Sequence, residues 1–246
     1  MAIRTAVRVA PRAIAPPLCA PRPSYPLPRV SQAGRTSRSF FNLPSTEPQT
    51  VRARRTLPYP SAPLYDLIAD IDAYSRFLPY CTTSRVTSWT PAHRSDSPDP
   101  QQQQRRWPTA GTLSAGWSGL AETYSSRVFC IPDRGIVEAI SGSAWTKISP
   151  EDLQRWGLRD SGPAAHAGEE GTFRSLVTQW TVRPVGGREG SGEGGTWSEV
   201  DLSIMFQFVN PLYGAVSSAV ADKVAPIMVS AFEKEARRVL GPPKLS

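Results

Sequence analysis

From residue 200 onward the chain alternates, then changes step. Val200, Leu202, Ile204, Phe206 and Phe208 are separated by Asp201, Ser203, Met205 and Gln207, the period of two shown by a strand with one buried face. After Asn210 and Pro211 the apolar positions recur at three- and four-residue steps. Val216, Val220, Val224, Ile227 and Ala231 form one greasy stripe of a long helix, with Lys223, Lys234 and Arg237 falling elsewhere. Pro226 lies inside that helix and predicts a kink or a two-piece helix, since an interior proline costs about 3 kcal/mol. A strand and a helix of this kind bury their apolar faces against each other.

Upstream, residues 51–57 have strand potential. Ser61 and Pro63 then mark the start of a helix whose face is Leu64, Leu67, Ile68 and Ile71, with Ser61 as its N-cap. A compact stretch at 74–80 leads into a strand at 84–90. Leu113, Ala115 and Trp117 alternate in another strand, and Tyr124, Val128 and Cys130 in the next, with 119–122 as the reversal between them. Residues 136–140 follow a turn at Asp133-Arg134-Gly135. Residues 173–183 place Leu176, Trp180 and Val182 on one side and stop at Pro184. The pattern predicts an α+β fold: a curved antiparallel sheet of six to seven strands, mostly a meander, wrapped around a long C-terminal helix. Three segments interrupt it: a Pro- and Gln-rich loop at 91–108, an insertion at 143–170 in which Pro150 could open a short helix, and a Gly-rich loop at 186–195.

The net charge of +7 on 246 residues suggests nucleic acid until it is located. Residues 1–40 carry seven arginines (Arg4, Arg8, Arg12, Arg22, Arg29, Arg35, Arg38), no lysine and no acid. Setting them aside leaves 21 basic against 21 acidic side chains, so the rest is neutral and gives no reason to expect DNA or RNA. An Arg-rich, acid-free start is the composition of a mitochondrial transit peptide, here 1–40, with removal near residues 38–41. The folded domain then spans 41–240, and 241–246 is a short tail. No apolar run approaches eighteen residues, so a spanning helix is not expected and membrane contact would be peripheral.

Catalytic chemistry finds little support. Cys19, Cys81 and Cys130 have no metal or redox spacing, and the last two read as reduced, buried thiols. His93 and His166 sit in polar or small-residue segments rather than on rigid elements, as solvent-exposed histidines do. The run from Gly190 to Gly195 formally matches G-x-G-x-x-G but precedes a strand, which denies it phosphate-cradling geometry. Asp70, Asp72 and Glu122 read as caps or loop carboxylates. What the chain does hold is aromatic surface: Phe77, Tyr80, Trp117, Tyr124, Trp180, Phe206 and Phe208. Such rings are either plain core or the walls of an apolar cavity.

Several blocks carry a resemblance: SFFNLP at 39–44, LYDLIADIDAY at 64–74 running into RFLPYC at 76–81, ETYSSRV at 122–128, FRSL at 173–176 with Trp180, and PLY at 211–213 ahead of AFEKEA at 231–236. With these the chain resembles the coenzyme Q-binding protein family, the mitochondrial and bacterial branch of the START-like, polyketide-cyclase superfamily, whose fold is the helix-grip. The resemblance implies a non-catalytic ubiquinone carrier or chaperone, peripheral on the matrix side of the mitochondrial inner membrane. It also implies a role in respiration and ubiquinone biosynthesis, with respiratory complexes or biosynthetic enzymes as further partners, and no cofactor beyond ubiquinone as ligand.

Each buried methylene of an isoprenoid tail is worth about 0.8 kcal/mol, so ubiquinone needs help to leave a bilayer. Pockets of roughly 300–1,000 Å³ cannot hold a long tail whole. The expectation is therefore a ring and first isoprenes inside the cavity, with the remaining tail in lipid or a groove. Lining residues expected by position are Phe77, Leu78, Trp117, Tyr124, Trp180, Phe206, Val220 and Val224, with Arg76 and Tyr80 on the rim facing anionic headgroups. Two rivals remain: a cyclase or dehydratase, which needs an acid–base pair in the same cavity, and a ribosome-associated interaction module.

Overall fold

The strand periodicities resolve into seven antiparallel strands in the order β1-β7-β6-β5-β4-β3-β2. These are β1 (Gln49–Leu57), β2 (Cys81–Trp89), β3 (Pro108–Trp117), β4 (Leu120–Ile131), β5 (Ile136–Gly142), β6 (Phe173–Val185) and β7 (Trp197–Phe208). Four helices accompany them: α1 (Ser61–Ala69), α2 (Tyr74–Phe77), α3 (Pro150–Arg155) and α4 (Pro211–Leu240). The computed structural model describes residues 47–91, 105–117, 120–163, 171–185 and 197–242, with backbone alone at 117, 120 and 211–222. The expected leader, most of the 91–108 loop, the Gly-rich loop and both histidines lie outside the described residues.

Strands β2 to β7 form a continuous meander, and β1 closes against β7. The chain therefore leaves one edge of the sheet after β1 and must reach the opposite edge to begin β2. It does so through α1 and α2, which lays α1 on the inner face over β5 and β6. The helix α4 covers β1 and β7 and meets α1 and α2. Alternation decides which side chains point inward. Val128 and Cys130 of β4, Trp180 and Val182 of β6, and Val200, Leu202, Ile204 and Phe206 of β7 pack with Leu64, Ile68, Val229 and Phe232 into the main core.

The outer face has a second core. Phe129, Ile131, Ile140 and Val177, the opposite alternation, are roofed by Leu153 and Leu158 from residues 143–163. Ser149 caps α3, its hydroxyl accepting from the Asp152 N–H at 3.1 Å. Polar ties anchor the roof to the sheet. The Arg127 guanidinium pairs with Asp160 and donates to the Ala144 carbonyl. Glu138, 2 % exposed, accepts from Thr146 and from Gln179 at 2.8 Å.

Several sequence expectations need correcting. The buried stripe of α4 is Ala225, Val229, Phe232 and Ala236, whereas Ile227, placed on the buried face from sequence, is 38 % exposed. Helix α4 runs as one element from Pro211 to Leu240 with Pro226 inside it, so the two-piece alternative does not hold. Ser61 is the first helical residue, and the N-cap position is Pro60, which offers no side-chain bond. Strand β6 continues through Pro184, because beyond Thr181 it pairs only with β7 and a missing N–H on the other side costs no ladder bond. Glu122 lies within β4 rather than at a reversal. Of the two thiols, Cys130 is buried and Cys81 only half-buried.

Candidate functional site

Reading across the inner face in register shows where packing thins. Gly111 of β3 stands opposite Ser126 of β4, whose hydroxyl meets that of Ser141 of β5 at 2.7 Å. In the adjacent row Val128 stands opposite Ala139, and Ala139 opposite Thr178. Gly111, Ser126, Ala139 and Thr178 share this inner face. Where small side chains meet in neighbouring strands, the floor of the sheet sinks. A cavity of about 60 Å³ occupies that place, bordered above by Ile71 and Tyr74 and at its ends by Leu113 and Trp180.

Two aromatic clusters lie on this face, and the first of them borders the hollow through Trp180 and Tyr74. At one end Phe232 of α4 gathers three rings edge-on: Trp180 at 4.3 Å, Phe77 at 4.8 Å and Tyr74 at 5.4 Å between centroids. At the other, Phe173 gathers Tyr124 at 5.7 Å, Phe206 at 5.9 Å and Phe208, stacked at 4.8 Å. Edge-to-face pairs add about 0.5–1.5 kcal/mol each beyond the area they bury, so each cluster is held together by its own rings. Leu113, a lining residue, stands opposite Tyr124 and links the hollow to the second cluster.

A larger space lies outside. Phe77 and Pro79 face Ile227, Ser230, Ala231, Lys234, Glu235 and Arg238 across an open groove of about 500 Å³. Ile227, Ala231, Lys234 and Arg238 follow the same step pattern as the buried stripe but are displaced by two residues, about 200° around the helix. One helix thus walls the interior on one side and the groove on the other. Arg238 grips Glu235 with two bonds of 2.7 and 2.6 Å, which holds that carboxyl below its usual range.

The expected site residues are placed as follows. Trp180 borders the hollow. Phe77 lines the outer groove instead, although its ring touches the same cluster. Tyr124 and Phe206 belong to the second cluster. Leu78 is buried in the main core and Val224 packs against it, and neither lines the hollow or the groove. The side chains of Trp117 and Val220 lie outside the described residues. Arg76 is exposed and paired with Asp70 at 3.6 Å, and Tyr80 is 48 % exposed beside Pro79 of the groove. Sequence reasoning missed Phe232, Phe173, Tyr74 and the small floor residues. A signal existed for the floor: Ser126, Ala139 and Thr178 are small residues at inward positions of strands otherwise filled with larger ones.

The ionisable groups at and near the hollow are raised by burial or tied up in hydrogen bonds. Burial raises the phenols of Tyr74 and Tyr124, and pushes the Cys130 thiol up to about 12. The Tyr74 hydroxyl donates to the Ile68 carbonyl, and the Tyr124 hydroxyl to Glu122 at 3.1 Å. Glu122 also accepts the Thr172 N–H at 2.6 Å, so it fastens the start of β6. Among the described residues no group of three or more His, Cys, Asp or Glu side chains converges as metal ligands would.

Comparison with known proteins fits this architecture. A family model described as polyketide cyclase/dehydrase and lipid transport matches residues 57–233. The mitochondrial coenzyme Q-binding protein of Schizosaccharomyces pombe is 28 % identical over 186 residues, covering 76 % of this chain and 85 % of that protein. The ribosome association toxin RatA of Escherichia coli is 22 % identical over 200 residues, 81 % of this chain and 94 % of that one. Among solved structures, a START superfamily protein from Mycobacterium smegmatis superposes with a TM-score of 0.51 at 10 % identity, over 77 % of this chain and 98 % of that chain, a likeness of fold alone.

Proposed function

Because the chain belongs to the polyketide cyclase/dehydrase and lipid transport family, we propose that it is a non-catalytic ubiquinone-binding protein that shelters the quinone ring in the inner-face hollow. The observation that carries this reading is the floor of small side chains beside an aromatic wall of Tyr74 and Trp180. Such a space suits a flat, apolar ring, and the similarity to a coenzyme Q-binding protein over most of both chains names the ring. At about 60 Å³ the hollow is smaller than the 300–1,000 Å³ typical of ligand pockets, so entry of a ring requires its walls to part. The isoprenoid tail then follows the outer groove toward lipid. Among the described residues no helix is long and apolar enough to cross a membrane. Peripheral contact falls to the groove rim, where Tyr80 and Ile227 offer apolar surface and Arg76 and Lys234 positive charge. By the same reading the protein works on the matrix face of the mitochondrial inner membrane, in support of respiration and ubiquinone synthesis.

One observation favours a second reading. The Tyr124–Glu122 pair, opposite and beyond the lining residue Leu113, is an acid–base couple of the kind a cyclase would need. Against it, Glu122 is already occupied by the Thr172 N–H and the Tyr124 phenol is raised, which suits neither a free base nor an acid active near neutrality. Organic extraction of the purified protein followed by mass spectrometry separates the cases. Co-purified quinone supports the carrier. An empty protein that sediments with ribosomes would replace it with an interaction module.

A further inference from the structure

The hydroxyls in the floor of the hollow carry more donors than the protein uses. Ser126 and Ser141 share one hydrogen bond of 2.7 Å, so of their two O–H groups one is spent on the other hydroxyl and one is left over. The Thr178 hydroxyl, one row away, has no hydrogen-bond partner among the described residues. Ser126 and Thr178 both line this space, which is otherwise bordered mostly by aliphatic and aromatic side chains. Resting on the quinone reading of this same hollow, we propose that Ser126, held in place by Ser141, and Thr178 form a donor subsite that receives one carbonyl oxygen of a 1,4-quinone. The partition of labour follows from chemistry. Ring faces need apolar walls, which Tyr74, Trp180, Ile71 and Leu113 supply. A quinone oxygen can only accept, and needs O–H or N–H groups aimed at it, which this floor supplies. The site thereby distinguishes a quinone from an equally greasy hydrocarbon: a polar group built to meet an oxygen is left unpaired by a ligand without one.

The test uses the purified full chain, a ubiquinone bearing one isoprene unit, and a prenylated benzene with the same tail and no carbonyl, both titrated calorimetrically. Thr178→Val keeps the shape and removes the donor, and Thr178→Ser restores it. The double variant S126A/S141A removes both members of the pair, so neither is orphaned. The expected result is a roughly tenfold weaker affinity for the quinone, about 1.4 kcal/mol, in Thr178→Val and in the double variant. Thr178→Ser should recover it, and hydrocarbon binding should not move. Should the double variant fail to fold, the Thr178→Val and Thr178→Ser pair decides alone. Equal losses for both ligands, or unchanged quinone affinity, would overturn the subsite while leaving ubiquinone binding intact. A wild-type protein that binds neither probe overturns both readings.

Discussion

Phe77 meets Phe232 edge to face with ring centroids 4.8 Å apart, and this contact is a partition. Phe77 lines the outer groove, whereas the two other rings held by Phe232, Tyr74 and Trp180, border the inner hollow. A single layer of aromatic side chains therefore stands between the two spaces. Phe77 is the half-buried member, carried on the four-residue helix α2, and so the one with least to lose by turning aside.

Phe77→Ala tests that partition. Removing a half-buried ring from an aromatic cluster is expected to lower stability by about 2 kcal/mol, less than for a ring fully enclosed. Quinone exchange between protein and lipid vesicles should become several-fold faster, because the groove and the hollow would then be joined. Urea unfolding measures the first effect and stopped-flow transfer the second. An exchange rate equal to wild type at reduced stability places the entrance elsewhere.

Filling the floor should have the opposite effect. Ala139→Leu puts three added carbons into a cavity of about 60 Å³ that Ala139 itself lines. Quinone affinity is expected to fall more than tenfold, while stability changes by about 1 kcal/mol in either direction, as added volume first fills space and then strains it. Leu153→Ala is the control from the other side of the sheet. It empties the outer core and should cost about 2–4 kcal/mol of stability without altering quinone affinity. Equal binding losses in the two variants would argue that stability, not the hollow, governs binding.

Strand faces were readable from the sequence because alternation is binary. Once Trp180 is inward, Thr178 and Val182 must be too, and they are. The helix was harder. On α4 the stripes 224–227–231 and 225–229–232–236 both contain apolar residues, and periodicity alone gives no preference. The deciding fact is tertiary: Phe232 fits between Trp180 and Tyr74, which turns Ile227 outward to the groove. The hollow was less legible still. Sequence reading sought a cavity by its large aromatic walls, yet its position is fixed by what is small. Gly111 and Ser126 became neighbours only through a register that no local pattern encodes. Residues 143–163 concealed a packed roof for a related reason, since Leu153 and Leu158 show no periodicity until the outer face of the sheet is there to meet them.

Tyr80 gives a way to separate folding from membrane contact. It is the one non-glycine residue with positive φ among those described, at +66°, and its carbonyl accepts the Gly116 N–H at 2.9 Å. A side chain in the left-handed region costs about 1–2 kcal/mol, against roughly 0.4–1 kcal/mol of extra chain entropy for glycine. Tyr80→Gly should therefore leave stability unchanged or raise it by up to about 1 kcal/mol. Co-sedimentation with anionic vesicles should nevertheless weaken several-fold, because an exposed aromatic ring is lost from the groove rim. Undiminished vesicle binding would remove Tyr80 from the membrane surface.

Glu138 predicts a pH dependence that belongs to the fold and not to the site. Its carboxyl is buried on the outer face, and burial raises its pKa above the ordinary 4.5 even though Thr146 and Gln179 donate to it and Lys147 and Arg127 lie near. The sign follows from linkage. Between 4.5 and its raised folded value, the native protein keeps a proton that the unfolded chain has released. Stability from this group is therefore fully present below the unfolded value and declines as pH climbs through the folded one. Glu138→Gln cannot ionise, so the difference in urea midpoint between variant and wild type should shift in the variant's favour as pH rises from about 4.5 toward neutrality. A constant offset across that range would mean the carboxylate is not penalised by burial. Quinone affinity should be the same in both proteins throughout, because Glu138 faces the roof at 143–163 and the sheet itself stands between it and the hollow.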